Sequence, residues 1–461
     1  DLAIFEQVVK GWANSFWPVV DIKGPGFVQF GDHFSPLLVV LAPFYRMFPS
    51  PVTLLVAQAL LIAISAVPIG GLARRILGLG RWQSVALTAA YTVSWGFQTA
   101  VASQFHEYCL AVPLLALALA WLVDGRWLAA AICAGLLIGV KEDLVFTTGA
   151  LGLMMIGLAR WRSRKIKVLP DGSRLVAGLR VPPGGLVRGI WLAAVSAGAA
   201  VLIFLVVMPL FNPQGSWAYW GRLPFTGASD QNQGGPGDAL WAFISGFAEG
   251  DKWWTLALLV AVTAGAGLFS PLAVLALPTL AWRFISPNEF YWGTDWHYSM
   301  ILMPIVFAAA IQAVGRWRQS PRWALRGYAQ VAVPVLAVAV ATWSVFTFPL
   351  RQIFEPIDPA SKVRAEAGRE VLALIPPGSS VATDIGLITR LTKDHTVYWI
   401  GEDLGDIRPD YVLVDPAAGW SRDPGLANTY AESLYGGHYE LVQPADGASI
   451  SPFRLAHLTG G

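Results

Sequence analysis

The chain has 461 residues, of which 55% are hydrophobic and 13% are charged, and its formal net charge is +2. Soluble globular domains carry about 25% charged residues, so this composition excludes an ordinary soluble protein and indicates a membrane protein with many helices. Nucleic-acid binding is not expected, because the basic residues collect in alternate loops between apolar runs.

Residues 1–50 are predicted to form a segment outside the membrane with two interfacial helices. Apolar side chains recur at helical spacing at its start, which indicates an amphipathic helix on the membrane surface: Leu2, Phe5, Val8, Val9 and Trp12. The stretch 35–48 is short and broken by proline, and we interpret it as the second interfacial helix. No signal-like segment is visible, so we expect a further membrane helix to precede Asp1.

Residues 51–350 are predicted to form an all-α bundle of about ten transmembrane helices, or eleven with the one expected before Asp1. The prediction rests on the apolar runs 51–72, 83–104, 108–123, 127–140, 143–158, 189–210, 253–268, 271–285, 298–315 and 328–350. Several runs are shorter than the roughly 20 residues that cross a bilayer, and we interpret the pairs 127–140/143–158 and 253–268/271–285 as short hairpins.

The loops between these runs alternate in charge. One set of alternate loops contains sixteen Lys and Arg residues, and the opposite set, up to residue 350, contains seven. The first set includes the basic loop 159–188, and the second includes the polar loop 212–252. Loops rich in Lys and Arg stay in the cytoplasm, so the second set faces outward. We therefore predict a multi-pass protein of the cell inner or plasma membrane, with its acidic and aromatic loop segments on the extracytoplasmic side.

Residues 351–461 are predicted to form a small extracytoplasmic α/β domain. Charged residues return here, a helix is expected over 360–375, and strands are expected at 379–383, 396–400, 410–415 and 438–443. The segment has no GxGxxG phosphate fingerprint and no nucleophile elbow, so a packing or acceptor-binding role is favoured over catalysis.

Placing an ionisable residue at membrane depth costs free energy, and such residues are usually functional or paired. Lys141 is expected to bind an anionic group, with Glu142 or Asp143 orienting it; the alternative is a solvated interfacial turn. Residues near His297 are equally explained as interfacial anchors. The candidate site residues on the predicted outer face are Asp1, Asp32, His33, His106, Glu107, Lys141, Glu142, His297 and Tyr298.

The sequence narrows the chemistry of such a site. The six histidines form no HExxH or Cys-His array, Cys109 and Cys133 lie inside apolar runs, and no G-x-S-x-G serine occurs. Carboxylates and histidines leave a Mg²⁺ or Mn²⁺ site open without requiring one. Carboxylates for proton transfer, a lysine for an anion and aromatic rings suit group transfer from a membrane-embedded, phospholipid-like donor.

The chain carries the motif series DLAIFEQ, DHFSPLLVVLAPFYRMF, QFHEYCLAVPLL, LLIGVKEDLVF and HYSMILMPIVF, with IPPGSSVATD and PDYVLVD in its tail. This series resembles a bacterial integral-membrane family known as domain of unknown function 2079, over most of the chain and most weakly in 159–252. That family in turn resembles the C-type glycosyltransferases, which use polyprenyl-phosphate sugars as donors and an aspartate of the first outer loop.

The resemblance implies a role for each candidate residue. Asp1 would be the first-loop general base, and Asp32 a second acidic residue of the catalytic site. Lys141 would hold the donor phosphate, and the substrate cavity would be lined by His33, His106, Glu107, Glu142, His297 and Tyr298. Monophosphate donors do not strictly need a metal, so we expect no cofactor. The expected partners are a polyprenyl-phosphate-sugar donor and an envelope glycan, lipid or protein acceptor.

A transporter or lipid flippase without transferase activity is the alternative, because a bundle with buried charges also describes those proteins. Transporters tend to show inverted repeats and broken helices with charges at the bilayer midplane. This chain has no convincing repeat, and its polar residues collect at one interface. These features favour the transferase.

The orientation is tested by cysteine labelling in intact cells. Single cysteines at Ser216 and Ser379 should react with an impermeant thiol reagent from outside, whereas a cysteine at Ser173, in the basic loop, should react only after the membrane is opened. Labelling of the Ser173 position and protection of the Ser379 position in intact cells would contradict the predicted orientation.

Overall fold

The computed structural model describes residues 1–15, 17–161, 167–217, 219, 246–418, 426–442 and 452–460. The chain divides into two compact units. The first contains Asp1–Gln29, Leu38–Leu55 and Phe354–Gly461, and the second contains Phe30–Leu37 and Val56–Ile353. The predicted division into 1–50, 51–350 and 351–461 stays a prediction, and most of the predicted polar loop 212–252 lies outside the described residues.

Apolar helices form most of the second unit. After Pro51–Gly71, which begins in the first unit, the described helices up to residue 350 are Arg81–Thr92, Trp95–Ala102, Tyr108–Asp124, Trp127–Leu136, Leu144–Arg160, Gly185–Leu202, Met208–Phe211, Gly250–Ala261, Leu277–Ile285, Leu302–Trp317, Trp323–Gly327 and Val333–Thr347. The predicted run 83–104 is two helices, because the backbone of Ser94 is extended, with ψ 147°.

Four described segments are long and apolar enough to cross a membrane: Pro51–Ile76, Gly185–Phe211, His297–Trp317 and Trp323–Thr347. These spans agree with the predicted multi-pass membrane class, while the number of about ten transmembrane helices stays a prediction. The segment His297–Trp317 is central, because 94% of its apolar window is buried, against 22–33% in the other three.

The strand-containing region at the C-terminus agrees with the predicted α/β pattern. The helix Pro359–Ala373 precedes a five-stranded sheet, and shorter helices follow at Ile388–Leu391 and Ala427–Tyr435. Its strands are β4 (Ser380–Thr383), β5 (Thr396–Trp399), β6 (Tyr411–Val414), β7 (His438–Leu441) and β8 (Arg454–Gly460). The sheet order is β5-β4-β6-β8-β7, with β4 parallel to β5 and β6, and β8 antiparallel to β6 and β7.

Four of these strands match the predicted ones, and β8 was not predicted. Three short antiparallel strands inside the predicted basic loop 159–188 were also not predicted: β1 (Lys167–Val168), β2 (Arg174–Val176) and β3 (Leu179–Val181). They are only two or three residues long, too short to show an alternating apolar pattern.

The predicted N-terminal helix is present as Leu2–Asn14, and its apolar side chains are buried inside the first unit. Its polar side chains bind the C-terminal sheet region. Gln7 Nε2 donates to the carbonyl of Val397 at 3.1 Å, and Lys10 Nζ donates to the carbonyl of Thr392 at 2.7 Å. The buried carboxylate of Glu6 accepts from Thr392 and from Tyr45. Placement of this helix on a membrane surface stays a prediction.

The second predicted interfacial helix is a 3-10 turn, Pro36–Leu41, followed by the helix Ala42–Met47.

The segment that carries Asp32 and His33 is positioned by close backbone packing at Gly31. A Cβ atom at Gly31 would lie 2.6 Å from the carbonyl carbon of Phe211 and 2.8 Å from the amide nitrogen of Asn212. Asn212 Nδ2 also donates to the carbonyl of Gly31 at 2.9 Å. A glycine is therefore required where this segment meets the end of the Gly185–Phe211 span.

Substitution Gly31→Ala tests this contact. The added methyl must displace backbone atoms, so we expect a loss of about 1–3 kcal/mol of stability, the usual effect of overpacking. Thermal unfolding in detergent measures it. The matched control is Gly135→Ala, in the helix Trp127–Leu136, where a Cβ meets nothing within 4 Å. That change should be neutral or stabilising by up to about 1 kcal/mol, because alanine favours helices. Equal effects of the two substitutions would contradict the packing role of Gly31.

Candidate functional site

The second unit brings together polar residues from four segments of the chain. Three of these segments lie at the N-terminal ends of apolar helices. His106 and Glu107 precede Tyr108–Asp124, Lys141–Asp143 precede Leu144–Arg160, and His297 opens the central span. The fourth is the segment with Asp32 and His33. Helix N-termini favour negative charge, which suits the carboxylates of Glu107 and Asp143 at the first helix positions.

His33 lies between two carboxylates. Its Nδ1 is 2.8 Å from Glu142 Oε1, and its Nε2 is 3.6 Å from Asp32 Oδ2. The backbone amide of Phe34 donates to the second oxygen of Glu142 at 3.0 Å. The hydroxyl of Tyr219 donates to Asp32 at 2.9 Å, and its ring stacks on the imidazole. The His33 side chain is 22% exposed, whereas that of Glu142 is 4% exposed, so the imidazole is the accessible member of the pair.

His33 and the carboxylates beside it stabilise one another's ionised forms. Burial disfavours the imidazolium, but the carboxylates of Asp32 and Glu142 outweigh it and raise the pKa of His33. Burial also disfavours the Glu142 carboxylate, but His33 and Lys141 outweigh it and lower the pKa of Glu142. His33 and Glu142 therefore form an ion pair with Asp32 beside it, a geometry able to hold and transfer a proton.

Lys141 is paired with a residue that the sequence did not single out as its partner. Its Nζ lies 2.6 Å from Glu107 Oε1; the Glu107 side chain is fully buried and that of Lys141 is 11% exposed. Burial disfavours the ammonium, but the carboxylates of Glu107, Glu142 and Asp143 outweigh it and raise the pKa of Lys141. Tyr108 stands beside the pair, with its hydroxyl donating to Asp143 at 2.6 Å.

His106 and His297 stack on each other, with ring centroids 3.4 Å apart and an angle of 18° between the rings. The His106 segment is held by Gln58, whose side chain accepts from the amide of His106 at 3.0 Å and donates to the carbonyl of Gln104 at 2.8 Å. Burial lowers the pKa of His106 to about 3, against the opposing effect of Glu107, so the ring is neutral. The ring of Tyr298 lies 4.2 Å from that of His297.

The structure thus brings eight of the nine sequence-predicted site residues into the second unit. Asp1 is the exception: it is an exposed residue of the first unit, at the start of the helix Leu2–Asn14. Its catalytic role stays a prediction. The sequence reasoning missed Gln58 and the role of Tyr219. Tyr219 lies in the aromatic run WAYW, which indicates interfacial anchoring as readily as a hydrogen bond to a carboxylate.

Within the described ranges, no group of three or more His, Cys, Asp or Glu side chains is arranged to hold a metal ion. In the cluster around His33, the carboxylate oxygens contact a ring nitrogen, a hydroxyl or an amide. The described arrangement is able to transfer a proton, and the expectation that no cofactor is needed stays a prediction.

Comparison with known proteins gives a family. The family described as predicted membrane protein (DUF2079) matches residues 1–450, so the chain belongs to it. The curated proteins give no match to this chain. The family assignment and the apolar helices agree that this is a membrane protein, and the predicted relationship to C-type glycosyltransferases stays a proposal.

Lys141 and Glu107 allow a direct test of charge pairing. Lys141→Met leaves Glu107 buried without its cation, so we expect a loss of about 3–5 kcal/mol of stability. Combining it with Glu107→Gln should recover much of this loss, because no unpaired ion remains. Thermal unfolding of the purified variants in detergent measures both.

The matched control for this test is Arg180→Met, which breaks the exposed ion pair of Arg180 and Asp171. Exposed pairs contribute only about 0–1 kcal/mol, so this variant should unfold near the wild-type temperature. If Lys141→Met were no more destabilised than Arg180→Met, the ion pair of Lys141 and Glu107 would not stabilise the fold. Lys141 would then again be a candidate for binding substrate.

Proposed function

We propose that this protein is a membrane glycosyltransferase that moves a sugar from a polyprenyl-phosphate donor to a hydroxyl of an extracytoplasmic acceptor. The observation that carries the proposal is the His33 imidazole, held between Asp32 and Glu142 and partly exposed. A carboxylate beside a positioned imidazole is a proton acceptor of the kind that general-base catalysis needs.

The reaction assigns a task to each of these groups. Asp32 takes the proton of the acceptor hydroxyl as its oxygen attacks the anomeric carbon of the sugar. The bond between that carbon and the donor phosphate oxygen breaks, and polyprenyl phosphate leaves with the bonding electrons, which inverts the anomeric carbon. Tyr219 and His33 hold the Asp32 carboxylate in place, and Glu142 fixes the imidazole. Asp1, in the first unit, is the second candidate for the base.

The donor class enters the proposal through the resemblance of the motif series to C-type glycosyltransferases. The position of the cluster supports it. The polar groups lie at the ends of apolar helices, where the head of a lipid-linked sugar would sit while its chain stays among apolar side chains. Aromatic residues such as Tyr108 and Tyr298 at the same helix ends suit contact with a sugar ring or an isoprenoid unit.

A transporter or lipid flippase is the second candidate function. It is favoured by the buried ion pair of Lys141 and Glu107, because paired charges inside a bundle also mark ion and substrate pathways. The two functions differ in one product. A transferase releases polyprenyl phosphate, whereas a flippase returns its lipid unchanged.

The test uses purified protein in lipid nanodiscs, a panel of polyprenyl-phosphate hexoses and pentoses, and an envelope extract as the acceptor. Release of polyprenyl phosphate is followed by mass spectrometry. We expect release by the wild type and a fall of about 10²–10⁴-fold in Asp32→Asn, which keeps the shape of the side chain but removes the proton acceptor.

The control variant is Asp124→Asn, which lies at a different helix end and pairs with Arg126; it should release polyprenyl phosphate at the wild-type rate. Loss of activity in Asp1→Asn with normal activity in Asp32→Asn would transfer the base to Asp1. Absence of release from every donor, together with lipid movement across proteoliposomes, would replace the transferase with the flippase.

A further inference from the structure

Arg283 is a fully buried arginine in the helix Leu277–Ile285. Its guanidinium donates to three neutral acceptors. Nε binds the carbonyl of Tyr291 at 2.7 Å, and Nη2 binds the carbonyl of Gly293 at 2.9 Å. Nη1 binds the hydroxyl of Ser299 at 3.1 Å. The side chain is thus held rigidly in one position at the end of an apolar helix.

The positive charge of Arg283 has no carboxylate partner among the described residues. An arginine stays ionised in proteins, and burying an ion without an opposite charge is strongly unfavourable. Lys141, in the same unit, has Glu107 as its partner. A guanidinium has five N–H donors, and the three hydrogen bonds leave two of them without an acceptor in the described part of the chain. An anion from outside the protein would neutralise this charge and accept hydrogen bonds from these two N–H groups.

Two neighbours on the same helix add donors of the same kind. Thr279 precedes Arg283 by one helical turn, so both lie on one helix face, and its hydroxyl is buried without a described hydrogen-bond partner. The indole N–H of Trp282 is also buried without one. The ring of Tyr298 lies 5.8 Å from the Arg283 guanidinium and 5.8 Å from the Trp282 ring, so both side chains lie beside Tyr298. Buried donors without acceptors are rare in proteins, and each needs an explanation.

A second cation lies close to the same loop. Lys252 Nζ is 4.0 Å from the centre of the Trp292 ring, and Trp292 stands between the two residues whose carbonyls bind Arg283. The hydroxyl of Thr255 fixes this loop by donating to the carbonyl of Trp292 at 2.7 Å. Two cationic side chains, Arg283 and Lys252, therefore contact the loop 291–293.

We infer that Arg283, with Trp282 and Thr279, forms a binding position for a phosphate ester. A phosphate group has the negative charge and the several acceptor oxygens that these donors lack, and the guanidinium fork matches two of those oxygens at once. This inference rests on the proposed function, in which the phosphate belongs to the polyprenyl carrier. It assigns to Arg283 the phosphate contact that the family resemblance assigned to Lys141.

The experiment measures stabilisation by ligand, since any molecule that binds the folded protein raises its unfolding temperature. The full chain in nanodiscs is unfolded with inorganic phosphate or with chloride at equal ionic strength, and with polyprenyl phosphate or with polyprenol in the bilayer. We expect polyprenyl phosphate, but not polyprenol, to stabilise the wild type. Stabilisation by inorganic phosphate as well would mean that the phosphate group alone suffices; stabilisation by the lipid alone would assign the site to a lipid headgroup.

Variants locate the binding. Arg283→Gln should weaken polyprenyl-phosphate binding about 10- to 100-fold, the usual effect of losing charged hydrogen bonds. Trp282→Phe removes one N–H while keeping an aromatic ring, and should weaken binding by a smaller factor of about 3–10. The matched control is Arg316→Gln. Arg316 also donates to backbone carbonyls, those of Ala177 and Phe269, but on a different helix, and its loss should leave binding unchanged.

The wild-type titration keeps the inference testable if Arg283→Gln does not fold. Equal stabilisation by polyprenol and polyprenyl phosphate, with no effect of inorganic phosphate, would overturn the inference. Wild-type affinity in a folded Arg283→Gln or in Trp282→Phe would do the same. Binding that depends on Arg283 without release of polyprenyl phosphate from any sugar donor would sustain this site and reject the transferase. Release that is unaffected by Arg283→Gln would sustain the transferase and reject the site.

Discussion

Ionised side chains inside an apolar bundle need opposite charges or hydrogen bonds within reach, and this requirement arranges the site. The contact between His33 and Glu142 joins an early segment of the chain to the start of the helix Leu144–Arg160. The contact between Lys141 and Glu107 joins the starts of two helices. Each pair fixes segments that are far apart in the sequence. The result is one cluster with defined proton donors and acceptors, in place of separate solvated loops.

The cations of the second unit differ in how well the protein itself neutralises them. Lys141 has a carboxylate at 2.6 Å, so its charge is already used in holding two helices together. Among the residues that the structure describes, the hydrogen-bond acceptors of Arg283 are two carbonyl oxygens and one hydroxyl oxygen. In a membrane bundle, a charge that the fold leaves without a counter-ion is a stronger indication of ligand binding than a charge that merely lies at the right depth. We therefore propose that the phosphate group is bound by Arg283 and not by Lys141.

The sequence predicted where the polar residues of the site lie but not which of them pair. Ionisable residues such as Lys141 and His106 stand out because they interrupt the apolar sequence, and that pattern is visible without a structure. Glu142 or Asp143 was predicted to orient Lys141, yet Glu107 forms the closest ion pair with it, because partners across helices depend on packing that periodicity does not encode. Arg283 was not among the predicted site residues for the same reason.

The first unit combines the two ends of the chain, and this has a consequence for how the protein is made. Gln7 and Val397, which share a hydrogen bond, are separated by 390 positions. Synthesis proceeds at roughly 5–20 residues per second, so the helix Leu2–Asn14 waits on the order of tens of seconds for the strand that contains Val397. During that interval it has only the early segments of its own unit as partners, such as the helix that contains Tyr45, and contacts of such long range form slowly. The ribosome therefore releases the second unit's helices first, and the first unit closes last.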